Sequence, residues 1–291
     1  MPEFFDGNVL ISTPPVLTNV VRYARALNPG EFSALTFGKR ALGGYYRCRF
    51  RFHGSPADLQ ELFTNGLMRE VRIYSKETVL LWEGFIYSLD FNFGWVVARQ
   101  SMSEVYNKVW LRYRATGTSS TVRSAVSSDT SSQNRYGIKE YVISGGELET
   151  SAIADTVASQ YLKLFKQPKV TPTFDFAAPL REQPFIEVTG YGWIETLAFR
   201  TFNNTGAASS QNTSQEVSDV LTSVGQFVKS KTLDGNATLV SKITDLDRRA
   251  KDFIDDITRL GDAQGNRWLN SMRGDREFVY GKASVLAEDV A

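Results

Sequence analysis

Val79-Leu80-Leu81-Trp82-Glu83-Gly84-Phe85-Ile86-Tyr87-Ser88-Leu89 is the stretch on which the fold turns. Apolar and aromatic side chains occupy alternate positions of both parities. Successive side chains of an extended chain point to opposite faces, so this pattern predicts a strand covered on both sides, by its own core and by a neighbour. Phe91, Phe93 and Trp95 continue the aromatic run. Upstream, Val71 to Tyr74 predicts a strand and Ser75-Lys76 a turn. Ser55-Pro56-Ala57-Asp58 predicts a helix start, with Ser55 as N-cap, Pro56 in the first helical position and Asp58 completing a capping box. Leu59, Leu62 and Phe63 share one face of that helix, which ends near Asn65-Gly66.

Farther out, Phe32 to Phe37 and Tyr45 to Phe52 alternate as half-buried strands. The second carries Arg47, Arg49 and Arg51 on one face and Tyr46, Cys48, Phe50 and Phe52 on the other, so three cations must meet water, acids or a partner. Val105 to Tyr113 predicts a further strand. Thr116 to Asn134 is Ser/Thr-rich without an apolar period and predicts an exposed loop or linker. Beyond it come a turn feeding a strand over Tyr136 to Ile143, a helix over Ile153, Val157, Tyr161 and Leu164 capped by Thr150 or Ser151 and ended before Pro168, and strands at 171–176 and 185–188. A second polar stretch begins at Asn203. Asp247 to Leu260 predicts a helix with Ala250, Phe253, Ile254 and Ile257 inward and Gly261 as its stop. Trp268-Leu269 and Glu277 to Tyr280 predict strands around Arg273-Gly274-Asp275. The expected units are a β-rich barrel-like domain over 1–115, a linker over 116–134, an α+β domain over 135–202, a linker over 203–215 and a C-terminal α+β unit over 216–291.

Composition narrows the chemistry. Lys plus Arg total 33 and Asp plus Glu 32, a net charge of +1, so no global field draws nucleic acid or an anionic membrane. The single cysteine, Cys48, excludes an intrachain disulfide, and the single histidine, His53, leaves too few ligands for a zinc hydrolase site. No serine has the glycine-flanked elbow of a hydrolase. Asp245-Leu246-Asp247 and Asp255-Asp256 are the candidate paired carboxylates of a glycosidase, but lie among Lys and Arg and read as a solvated helix face. Gly43-Gly44 and Gly145-Gly146 lack the residues that complete a phosphate loop and read as turns. The sequons at Asn203, Asn212 and Asn236 and the Arg273-Gly274-Asp275 tripeptide carry no expected function. Met1-Pro2-Glu3-Phe4-Phe5 is not a secretory signal, and no apolar run approaches the roughly 18 residues that span a bilayer, so synthesis in the cytoplasm is expected. Nineteen Phe, 12 Tyr and 5 Trp suit a β-rich protein with buried subunit contacts. The chain is expected not to be an enzyme and to need no cofactor or metal.

Four local patterns occur in order. Leu59-Gln60-Glu61-Leu62-Phe63 and Val71-Arg72-Ile73-Tyr74 lead to a Trp-x-Gly-aromatic strand at Trp82, Gly84 and Phe85. Val105 to Tyr113 holds Asn107 in an apolar-Tyr-Asn-x-apolar strand. The most specific stretch places Asp129, Ser132, Tyr136 and Gly137 ahead of a strand bearing Glu140, then a helix ending at a proline. The last is Asp262, Gly265 and Trp268, leading to Asp275-Arg276-Glu277-Phe278-Val279-Tyr280. Together they span residues from about 57 to 280, and in order and spacing the chain resembles the central tail hub and tail-associated structural proteins of siphophages.

The resemblance implies a β-dominated α+β fold of antiparallel, tail-tube-like barrel domains with a few short helices. It implies a structural virion protein in the tail tip or baseplate, joining the tail tube or distal tail ring to the tip and fibres and lining the channel through which DNA is ejected. A homotrimer is expected ahead of a hexamer, with tail tube, distal tail ring, tape measure, tip and fibre proteins as partners. Such relatives often continue into further domains, so a chain ending at Ala291 reads as a short version. Arg47, Arg49 and Arg51 would either touch passing DNA loosely or pair with acids on a neighbouring strand. A hexameric distal tail or adaptor ring protein, and a receptor- or carbohydrate-binding module of the virion, are the alternatives.

Overall fold

A computed structural model describes residues 6–174, 176, 181–202, 210–241 and 247–283. Of the features expected above, Met1 to Phe5, Asn203 with the polar stretch as far as 209, Asp245, Leu246 and Ala291 lie outside the described residues. The chain opens with strands β1 (Asn8–Ser12), β2 (Ala24–Leu27), β3 (Phe32–Arg40) and β4 (Gly43–Phe52), helix α1 (Pro56–Asn65), and strands β5 (Glu70–Tyr74), β6 (Leu80–Gly94) and β7 (Val96–Ser101). Next come β8 (Lys108–Ala115), β9 (Thr121–Arg123), β10 (Ser127–Ser128), α2 (Thr130–Tyr136), β11 (Glu140–Leu148), α3 (Ser151–Phe165), β12 (Thr171–Phe174) and β13 (Arg181–Tyr191). The last part holds a 3-10 helix at Trp193–Phe199, β14 (Thr201–Phe202), β15 (Ser210–Asn212), α4 (Thr213–Val224), β16 (Ser230–Leu233), β17 (Leu239–Ser241), β18 (Arg248–Arg249), α5 (Ala250–Leu260), β19 (Trp268–Arg273) and β20 (Glu277–Lys282). This is a strand-rich α+β fold.

The 15-residue strand β6 is the spine of the largest sheet. One edge pairs in turn with β5 and β7 and the other with β13. The full path runs β16-β20-β19-β4-β13-β6-β5-β1-β2, with β3 on β4, β7 on β6 and β12 on β7. It therefore takes strands from all three expected units, 1–115, 135–202 and 216–291. Trp82 to Ile86 are buried on both faces, as the double-parity pattern predicts. Ser55 caps α1 with the reciprocal Asp58 contact, also as predicted.

The expected antiparallel barrel is not found closed: among the described residues the path ends at β2 and β16 without joining them. Nor is the sheet purely antiparallel, since β19 runs parallel to β4, and β16 to β20. The β19 junction has a steric cause. β13 pairs with β4 only as far as Arg47, leaving Gly43 and Gly44 to receive Met272 and Ser271. A Cβ on Gly44 would lie 2.5 Å from the Met272 carbonyl oxygen, so glycine permits the approach.

A smaller sheet, β10-β8-β11 with β9 on β8, carries α3. The helix forms where expected but is rolled. Ala154, Ala158 and Leu162 face inward, Ile153, Val157 and Leu164 are exposed, and Tyr161 is half-buried. Alanine lets a helix backbone lie close to a sheet, here against Val109, Leu111 and Tyr113, and that close fit outweighs the bulkier stripe. The stretch 116–134, expected as a loop, carries β9, β10 and most of α2. No helix among the described residues is long and apolar enough to cross a membrane.

The Trp82 indole fits a slot made by two glycines. A Cβ on Gly84 would sit 2.4 Å from the indole edge and 2.2 Å from the Tyr191 carbonyl oxygen, and one on Gly190 would sit 3.2 Å from the same indole. Gly84→Ala must therefore push β13 off β6 and should lower stability by about 1–3 kcal/mol or more. Gly146→Ala, exposed and with nothing within 4 Å of its Cβ position, should stay within about 0.5 kcal/mol of the parent in urea denaturation.

Candidate functional site

The residues singled out in the sequence gather into separate local structures. Trp82, Gly84 and Phe85 form the centre of the core. The Phe85 ring lies 5.2 Å from Trp193 and 5.8 Å from Phe199, and Trp193 stacks on Phe227 at 5.2 Å. Gly137, in the left-handed region at φ 77°, seats against Phe227, whose ring a Cβ would meet at 2.4 Å.

Asn107 is fully buried and joins the second and third patterns. Its amide donates to the Gly137 carbonyl at 2.7 Å and to Ser132 Oγ at 3.3 Å, while its Oδ1 accepts the Lys139 backbone N–H at 2.8 Å. Asp129 caps α2 by accepting the Ser132 N–H at 2.8 Å and holds Lys166 Nζ at 2.9 Å. The Ser132 hydroxyl donates to the Lys166 carbonyl, so α2 is tied to the end of α3. Tyr136 is buried in the main core. Glu140 accepts from Lys108 at 2.8 Å and from the Thr201 N–H at 2.6 Å, with Arg200 Nε at 3.1 Å. Burial alone would raise its pKa; Arg200, Lys108 and the Thr201 N–H outweigh burial and hold it below the usual carboxylate range. Such ties satisfy groups that would each cost about 1–3 kcal/mol if left buried and unpaired.

Asp262 organises the fourth pattern. Its carboxylate accepts the N–H groups of Gln264 and Asn266 and the Trp268 indole N–H, with Gly265 in the left-handed region, and these contacts keep its pKa far below the usual range. Arg47, Arg49 and Arg51 share the exposed face of β4. Arg49 and Arg51 both pair with Glu187 on β13, and Arg51 also lies over the Phe185 ring at 5.2 Å. His53 shares a 2.7 Å hydrogen bond with Ser33, and burial and then Arg51 lower its pKa. Cys48 is buried, which pushes its thiol pKa up. Asp247 is paired with Arg112 and Arg123, and Asp255 with Lys251. Asn236 is buried and donates to the Gly261 carbonyl, a position closed to glycans.

Sequence reasoning missed two titratable clusters. In the first, Glu83 is fully buried and accepts the Asp275 N–H, beside Glu70, Arg72 and Arg276. Burial pushes its pKa up to about 7, against the pull of Arg72 and with a further push from Glu70. This network pins Asp275 and Arg276, both at φ 59°, and turns the Arg273-Gly274-Asp275 tripeptide into a fixed turn.

The second cluster lines a groove of about 490 Å³ where the two sheets meet, and it is the candidate site. Lys139 forms its floor, only 7% exposed. Its ammonium donates to the carbonyls of Met102 and Ser103 and lies 4.9 Å from the Tyr106 ring, 5.0 Å from Phe199 and 5.9 Å from Tyr87. Burial, then Arg249, lower its pKa to about 7, whereas the two carbonyls and three rings favour the charged form. Tyr46, Tyr87, Tyr191, Arg40, Arg249 and Lys251 complete the walls. Glu195 also lines the groove, and burial raises its pKa against the pull of Lys251 at 3.9 Å. No local pattern announces this site, because its residues come from six distant segments. Among the described residues no group of three or more His, Cys, Asp or Glu gathers to hold a metal.

Comparison with family models, with curated proteins and with solved structures finds no match.

Lys139 carries the pH dependence expected of the groove. Its folded pKa of about 7 lies below the 10.5 of the unfolded chain, so the unfolded state holds more protons between those values and stability rises with pH across that window. The gain relative to Lys139→Met should approach about 1.4 kcal/mol per pH unit. Urea midpoints of both proteins at pH 7, 8 and 9 measure it, and parallel curves would contradict it.

Proposed function

We propose that this chain is a structural virion protein of a long-tailed bacteriophage, a hub of the tail tip or baseplate between the tail tube or distal tail ring and the fibres. The four ordered sequence patterns are the ground for the phage reading. The geometry adds one supporting observation: the residues carrying those patterns are spent on buried ties and turns, in Asn107, Asp129, Ser132, Glu140 and Asp262, rather than on an open reactive centre. That is what an assembly scaffold requires.

A subunit of a ring also needs surfaces to give to neighbours. Edge strand β12 is exposed along its length, and Phe93, Trp95, Phe174 and Phe176 stand exposed around the tip of the β6–β7 hairpin, with Phe174 and Phe176 stacked at 6.1 Å. Unpaired edges and clustered apolar side chains favour association. In this reading the barrel is completed between copies, a neighbour's strand continuing the open sheet. The β4 arginines would face the channel, where Arg47 is free to touch DNA transiently while Arg49 and Arg51 share Glu187.

The carbohydrate-binding alternative is narrowed at one point. Trp82 is fully buried and cannot stack on a sugar, while Trp95 is 43% exposed.

Native mass spectrometry of the purified 32.6 kDa chain tests the proposal. Three copies are expected. Six would favour the distal tail or adaptor ring instead. A chain that remains monomeric, alone and with purified tail tube protein, would refute a hub role. Phe174→Ser with Trp95→Ser should weaken assembly without lowering the melting temperature.

A further inference from the structure

We infer that the groove floored by Lys139 is a binding site for an anionic sugar, the phosphate or carboxylate of which is held by Arg249 and Arg40. The inference is independent of the tail-hub reading, since it concerns the groove alone.

Charge balance comes first. Glu140, on the groove wall, is already committed to Lys108, Arg200 and Thr201. Glu195 and Asp255 answer Lys251. Arg40 adds to the field that pulls down the Glu195 pKa, whereas Arg249 has no carboxylate partner among the described residues. Arg40 lies over the Tyr46 ring at 3.1 Å, and Arg249 is exposed at the rim, near enough to help lower the pKa of Lys139 and to oppose in part the burial that raises those of Tyr87 and Tyr106. A concave site whose four cations, Arg40, Lys139, Arg249 and Lys251, outnumber its two carboxylates, Glu140 and Glu195, selects an oxyanion, which the forked guanidinium donors match.

The aromatic walls decide what carries the anion. Arg40 covers the Tyr46 face, Tyr87 and Tyr191 meet edge to face at 5.0 Å, and Tyr106 packs on Tyr141 at 4.6 Å. Few ring faces remain for a base to stack on, which disfavours single-stranded nucleic acid. Tyrosine hydroxyls are left to offer donors and acceptors, suited to a polyhydroxyl ligand. The volume of about 490 Å³ falls within the roughly 300–1,000 Å³ of small-molecule sites.

Isothermal titration of the full chain with glucose 6-phosphate, glucuronate, glucose and inorganic phosphate tests this. The two anionic sugars should bind competitively with Kd below about 1 mM. Glucose should not saturate, and phosphate alone should bind at least about tenfold more weakly than the sugar phosphate. Arg249→Gln, at an exposed position, should weaken both anionic sugars about tenfold with an unchanged melting curve, and Lys76→Gln should change nothing. Absence of binding by both anionic sugars, equal affinity for free phosphate, unchanged affinity in Arg249→Gln, or tighter binding of a thymidine hexanucleotide to the same groove would each overturn the inference.

Discussion

The fit of the Trp82 indole between Gly84 and Gly190 is the constraint on which the fold depends. With both glycines bare, β13 can lie against β6, and its other edge then meets β4, whose own glycines admit β19. Segments more than a hundred residues apart are thereby fixed in one sheet. The aromatic layer of Phe85, Trp193, Phe199 and Phe227 fills the face of that sheet, and the 3-10 helix carrying Trp193 and Phe199 also carries Glu195 of the groove wall. A change at the indole slot thus reaches the site through packing rather than through any polar contact.

Local signals along the chain were legible where a short window contained the whole cause. The Ser55 cap with Asp58 is such a case, and so is the double-parity run at Trp82. The strand at Tyr45 to Phe52 shows its alternation, with arginines out and Cys48, Phe50 and Phe52 in. Helix α3 was legible as a helix but not in its orientation, because the inward choice of Ala154 and Ala158 depends on how near the sheet lies. Helix α2 had no apolar period to announce it. It is held by Asp129 at its start and by Asn107 and Lys166, contacts made at a distance in sequence. The open, mixed sheet was likewise illegible, since strand pairing between β4, β13 and β19 is a non-local property.

The groove was the least legible feature. Lys139 lies in sequence within an ordinary turn-to-strand stretch, and only Tyr87, Tyr106 and Phe199, drawn from three other segments, bury it. Glu83 is comparable: it sits in an apolar run and becomes the clamp for a strained turn nearly two hundred residues away. Both are ionisable groups taken out of water at a cost, and both stand where chain segments of distant origin join. The chemistry of the molecule therefore follows from its topology more than from any contiguous motif.

Strands β6, β13, β4 and β19 form one cooperative unit around Trp82. Native-state hydrogen exchange over increasing urea measures it directly. The ladder amides of Phe85 to Leu89, Val188, Phe50 and Met272 should open with one common free energy, equal to that of global unfolding. Exchange of the β19 amides at a distinctly lower free energy, with β6 and β13 still protected, would contradict it.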